Sequence, residues 1–147
     1  NSQIDEACNL LEQFSGKRIG VLGITFKPGT DDVRESPMLE LMARLRRKGE
    51  NVKAYDPNID FGPALAGQLA YVKHANPGQG ALIEELESLC VETGAELLET
   101  VDVVIVSHAT PEFKTLVSER NRNVHVLDLA RLFKQPHADQ NYEGIAW

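Results

Sequence analysis

Apolar residues recur along this chain with two periods, and the alternation between them sets out the elements. Between Ser2 and Phe14, the residues Ile4, Ala7, Cys8, Leu11 and Phe14 share one helical stripe, and Gly16 follows as a stop. Ile19, Val21, Leu22, Ile24 and Phe26 then make a short apolar run of the kind that forms a strand covered on both faces. Gly20 and Gly23 inside that run mark close approach by a neighbouring element. A polar loop, Lys27 to Glu35, leads to Ser36-Pro37 as N-cap and first helical residue. From there Met38, Leu41, Met42 and Leu45 repeat at helical spacing as far as Gly49. Asn51 to Tyr55 reads as a second strand, ending at the turn-forming Asp56-Pro57-Asn58. Residues 61–78 carry the breakers Gly62-Pro63, Gly67 and Asn76-Pro77-Gly78 and read as irregular, with Ala70-Tyr71-Val72 as a short edge strand.

The second half of the chain repeats the pattern. Gln79 to Thr93 is helical, with Leu82, Ile83, Leu86, Leu89 and Cys90 as its apolar face. Ala95 to Val101 is a short helix feeding Val103-Val104-Ile105-Val106, the strongest buried-strand signal in the chain. Pro111 opens a helix to Glu119 with Phe113, Leu116 and Val117 inward, and Val124 to Leu129 reads as the last parallel strand. Strands alternating with helices predict an α/β fold: a Rossmann-like three-layer domain with a mainly parallel sheet of about five strands and helices on both faces.

Composition narrows the class. The 147 residues are 42% hydrophobic, enough for one sizeable core. No apolar run is long enough to span a bilayer, and no secretory signal pattern is present. Two cysteines, Cys8 and Cys90, make neither a disulfide framework nor a metal cluster, which suits a reducing cytoplasm. A net charge of −7 argues against a nucleic-acid partner. The charge is uneven: nine Lys/Arg against ten Asp/Glu in residues 1–60, but six against twelve in 61–147. An anion would therefore find its site in the first sixty residues.

Strand, polar loop and helix N-terminus in that order favour an anion, because unpaired backbone N–H groups and the helix dipole converge there. Lys27 supplies a compact ammonium, and Arg34 a fork suited to a pyrophosphate. Backbone N–H groups of Gly29 and Thr30 can add to the cradle, while Asp31 and Asp32 fix the loop or orient Arg34. The basic cluster Arg44, Arg46, Arg47 and Lys48 sits at the far end of its helix, where cations complement the dipole. Asp56 has two readings, a ribose-binding acid at a strand end and an ordinary turn former. The first strand offers only Gly20-x-x-Gly23 and lacks G-x-G-x-x-G, so a dinucleotide fingerprint is missing. His108, at the end of the Val103–Val106 strand, is a candidate for lining a ligand site, whereas His74 reads as a surface histidine.

F-K-P-G-T-D-D-V-R-E-S-P, Phe26 to Pro37, resembles the signature of the C-terminal domain of the UDP-glucose/GDP-mannose dehydrogenase family. The ending E-G-I-A-W, Glu143 to Trp147, is similar to that of the GDP-mannose branch. Members oxidise the C6 hydroxymethyl of a nucleotide sugar to a carboxylate with two NAD and a cysteine nucleophile, both served by regions preceding this one. The resemblance implies that residues 1–16 end an interdomain helix and 17–147 form the nucleotide-sugar-binding domain of a homo-oligomeric enzyme. It further implies substrate contacts from Phe26 and Lys27, an NAD contact from Arg34, no catalytic residue or metal in this region, and no turnover by the chain alone. Thr30, Asp31 and His108 are secondary candidates. Asp128-Leu129-Ala130-Arg131 stands where UDP-glucose dehydrogenases carry Asp-Gly-Arg, so Arg131 is displaced by one residue, a departure shared by the GDP-mannose branch. UDP-glucose chemistry, or a stand-alone α/β nucleotide-binding module without catalysis, are the alternatives.

Overall fold

The structure, a computed structural model, describes residues 2–133 and 141–145. Helix α1 (Ser2–Leu11) ends in a 3-10 turn, Glu12–Phe14, and the chain reverses at Gly16 with φ +83° before β1 (Arg18–Leu22). Then come α2 (Pro37–Arg47), β2 (Asn51–Tyr55), α3 (Pro63–Ala75), α4 (Gly80–Leu89), α5 (Gly94–Thr100), β3 (Val103–Val106), α6 (Pro111–Glu119), β4 (His125–Asp128) and β5 (Tyr142–Gly144). The five strands are parallel in the order β2-β1-β3-β4-β5. This is the doubly wound arrangement whose connections reverse direction between β1 and β3.

Because side chains alternate along a strand, each central strand feeds two cores. Ile19, Val21, Val52, Ala54, Val103, Ile105 and Leu127 pack against α1 to α4 on one face. Leu22, Tyr55, Val104, Val106 and Val126 pack against α5 and α6 on the other. Gly20 is what lets α5 lie close: a Cβ there would stand 3.1 Å from Val101 Cγ1 and 3.2 Å from Leu97 Cγ. Each Leu or Ile fully buried in these layers contributes about 1.5–3 kcal/mol of transfer free energy.

Two expectations are corrected. Residues 61–78 are not irregular: Gly62-Pro63 is the start of α3, with Pro63 at its first position, and Ala70-Tyr71-Val72 lies within that helix. The segment 124–129 supplies β4 but not the edge of the sheet. That edge is β5, where Ile145 donates its amide to the Asp128 carbonyl at 2.9 Å. Ala146 and Trp147, part of the terminal motif, lie outside the described residues.

Candidate functional site

The loop between β1 and α2, residues 23–36, is anchored beneath and exposed above. The first strand stops at Leu22, four residues earlier than its apolar run, because Gly23 turns the chain with φ +93°. Gly23 still donates to the Tyr55 carbonyl at 2.9 Å. Ser107 closes the other side, its amide donating to Leu22 O at 3.0 Å and its hydroxyl lying 2.5 Å from Gly23 O. A Cβ on residue 23 would stand 2.4 Å from Ser107 Oγ and 2.7 Å from His108 Nδ1, so only glycine fits. At the point between β1 and β3 where open α/β sheets usually take their ligand, the space beside Gly23 is thus taken by Ser107 and His108.

Ile24 and Thr25 are buried, and the loop emerges at Phe26, which is 46% exposed. Lys27 Nζ lies 5.6 Å from the centroid of the Phe26 ring and has no ion-pair partner among the described residues. The turn is pinned by Phe26 N–H to Asp32 O (2.7 Å) and by the Thr30 hydroxyl to Lys27 O (3.1 Å). Gly29, at φ +78°, faces open space, leaving the crown of the loop uncovered. Asp32 accepts Arg34 Nε at 3.1 Å and Nη2 at 3.2 Å, and also the Arg34 amide at 2.9 Å. The guanidinium beside it, then that amide, hold the Asp32 carboxyl below the usual range. The pairing engages one edge of the guanidinium and leaves Nη1 for an anion. Below Arg34, Val33 donates to Gln68 Oε1 of α3 at 2.8 Å. Ser36 caps α2 by position only; its hydroxyl donates to Ile24 O at 2.6 Å.

The remaining candidates separate. Asp31 is exposed beside a small cleft at the start of α3. His108 is buried, with Nε2 2.9 Å from the Thr25 carbonyl and its ring stacked on Phe113 at 6.3 Å. An acceptor-only carbonyl fixes the Nε2–H tautomer, so this ring supports the loop from behind. Arg131 sits at φ +52° with its side chain exposed, beyond the C-terminal end of β4. Asp56 is 7% exposed and accepts the amides of Ile24 and Thr25, and, as its turn-forming reading expects, that of Asn58. The basic end of α2 is neutralised locally: Arg44 by Asp5 and Glu40, Arg46 by Glu85. Gln68 was invisible in the sequence because its helix was; Ser107 had a signal, being polar at the end of the most apolar strand.

Two larger clefts lie elsewhere. One, of about 440 Å³, opens at the N-terminal end of the sheet between α5 and α6, away from the loop. The other, of about 450 Å³, lies beyond the C-terminal end of β2 between Tyr55, Ile59, Phe61, Val91 and the carboxylates Glu87 and Glu92. Lys27 and Arg34 line neither. Both side chains are exposed on the loop, whose crown at Gly29 faces open space.

A parallel doubly wound sheet, a buttressed loop at its C-terminal edge that carries Lys27 and Arg34, and a helix N-terminus behind that loop define an α/β domain suited to phosphate-bearing ligands. The model described as UDP-glucose/GDP-mannose dehydrogenase family, UDP binding domain, matches residues 20–135, and the chain belongs to that family. It is 30% identical over 147 residues to GDP-mannose 6-dehydrogenase of Azotobacter vinelandii, covering 99% of this chain and 32% of the relative. UDP-glucose 6-dehydrogenase of Rickettsia felis is 33% identical over 117 residues, 79% of this chain and 22% of the relative. Among solved structures, a ternary complex of GDP-mannose dehydrogenase from Pseudomonas aeruginosa superposes with TM-score 0.79 at 27% identity, over 99% of this chain and 32% of that one. The chain thus spans about a third of the length of the relatives it matches.

Proposed function

We propose that this chain is the nucleotide-sugar-holding C-terminal domain of an NAD-dependent nucleotide-sugar 6-dehydrogenase, with GDP-mannose as substrate and GDP-mannuronate as product. The observation that carries the reading is the loop geometry: Phe26 and Lys27 are presented outward, Arg34 is held by Asp32, and the backbone beneath is fixed from both sides. Residues 1–16 then end the helix leading from a preceding domain, and 17–147 form the domain itself. Lys27 supplies a point charge to a phosphate or sugar oxygen, with Phe26 flanking it. Arg34 turns its free edge to an anionic group of NAD.

NAD, when bound, accepts hydride from the sugar carbon. The filled space beside Gly23 and the missing glycine fingerprint do not suit this chain to cradle a dinucleotide, so its own contribution is the single guanidinium contact. The oxidation is left to residues outside the chain, and its two free cysteines are in keeping with a reducing cytoplasm.

Steady-state kinetics of the complete enzyme, varying each substrate in turn, tests the assignment. Lys27→Ala is expected to impair use of the nucleotide sugar and Arg34→Ala use of NAD. Each loses a charge-assisted hydrogen bond worth about 1.5–3 kcal/mol, roughly 10- to 150-fold. Wild-type kinetics in both variants would make the loop a structural turn.

A further inference from the structure

The carboxylate at the tip of β2 stands where a dinucleotide-binding fold offers an acid to a ribose, yet it faces the signature loop. Asp56 Oδ2 accepts the amides of Ile24 (2.8 Å) and Thr25 (2.9 Å) and lies 2.9 Å from the Thr25 hydroxyl. Its Oδ1 accepts the Asn58 amide at 2.9 Å, so both oxygens are engaged inside the protein. The two amides belong to the residues directly before Phe26 and Lys27. The same Thr25 hydroxyl lies 3.1 Å from the Lys27 carbonyl, sharing its proton between that oxygen and the carboxylate. From the opposite side His108 Nε2 reaches the Thr25 carbonyl at 2.9 Å, so Thr25 is clamped between β2 and β3. A short relay therefore joins Asp56 to the backbone of Lys27.

We propose that Asp56 is a positioning residue for nucleotide-sugar binding, holding Phe26 and Lys27 in place and making no contact with a ribose. The inference rests on the role given to Lys27 above. It requires a carboxylate and not merely a polar group of that size. Three donors converge on Oδ2 and a fourth on Oδ1, which an acceptor-only group satisfies. Asparagine keeps the shape but must aim its NH₂ either at the Asn58 amide or at the Ile24 and Thr25 amides. Either choice sets donor against donor and moves the start of the loop. Displacement of a binding group by about 1 Å is enough for a 100-fold loss.

The test uses the complete enzyme with Asp56→Asn, Lys27→Ala and the double variant, varying GDP-mannose and NAD separately. Asp56→Asn is expected to raise KM for GDP-mannose about 10- to 100-fold and leave KM for NAD unchanged. The double variant is expected to be no worse than Lys27→Ala alone, because both changes remove one interaction. Multiplying penalties would overturn the relay, and so would an Asp56→Asn variant that loses only thermal stability. A penalty that vanishes with a 2′-deoxyribose nucleotide sugar would make Asp56 a ribose ligand and also overturn it. If Lys27→Ala itself behaves as wild type, the substrate reading fails first, a result distinct from an impaired Lys27→Ala beside a normal Asp56→Asn. Thr25→Val, which removes the bridging hydroxyl and keeps the shape, carries the same expectation where Asp56→Asn does not fold.

Discussion

Cys90 closes α4 beside Asp56, half-buried and packed against the larger core. Burial, then the charges of Asp56 and Glu87, push its thiol up to about 12. Cys8, in the stripe of α1, is also raised, first by burial. The thiolate is the nucleophile, so a thiol at 12 is ionised about once in ten thousand molecules at pH 8, against roughly one in four for a free cysteine. Native protein at pH 8 is therefore expected to react with iodoacetamide orders of magnitude more slowly than the same protein in urea. Peptide mass analysis of the two samples reads this directly, and rapid native labelling of Cys90 would contradict its placement. The apolar spacing around both cysteines already spoke for core. What the spacing could not show was the pair of carboxylates that deepens the effect at Cys90, since Asp56 comes from the turn after β2.

At the scale of elements, legibility tracked how completely an element's own residues determine it. The segment Asn51–Tyr55 and the helix Pro111–Glu119 were readable to the residue, the first from its apolar core and the second from a proline start with Thr110 capping Phe113 N–H at 3.2 Å. Helix α3 was not, because it buries only Leu65 and Val72, two turns apart, and is punctuated by Gly67. Its formation follows from tertiary contacts, including Gln68 under the signature loop, overriding a weak local pattern. Strand β5 was illegible for a different reason: three half-buried residues carry no period of their own. It is held instead by Asp128 of β4, fully buried, which accepts the Ala130 and Leu132 amides and the Tyr142 hydroxyl. Burial, then this partner, raises the Tyr142 hydroxyl. Tyr142→Phe is expected to cost about 1.5–3 kcal/mol, the worth of a hydrogen bond to a charged group. The loss should appear in urea melts together with faster amide exchange at Ile145, the residue that extends β5 onto Asp128. Unchanged exchange there would mean that backbone pairing alone secures the edge.

At the scale of the molecule, the sheet brings the signature loop, the β2 tip and the β3 end to one edge, but the described surface does not enclose a ligand. The twelve-residue motif made the loop legible from sequence, whereas its supports were scattered at Asp56, Gln68, Ser107 and His108 and became a unit only through the strand order. On the function proposed above, discrimination between bases falls to the walls around the loop. GDP-mannose 6-dehydrogenase of Azotobacter vinelandii matches over the whole length of this chain, and Asp128-Leu129-Ala130-Arg131 carries the same leaning. Guanine presents donors at N1 and N2, which carboxylates or carbonyls accept; uracil has no matching pair. A site built for the guanine edge leaves buried acceptors unpaired when uracil enters, at about 1–3 kcal/mol per group. The complete enzyme is thus expected to favour GDP-mannose over UDP-glucose by roughly 5- to 150-fold in kcat/KM at matched NAD. Competition assays with both sugars present give this ratio, and a preference for UDP-glucose would move the chain to the other branch of its family while leaving the loop's role intact.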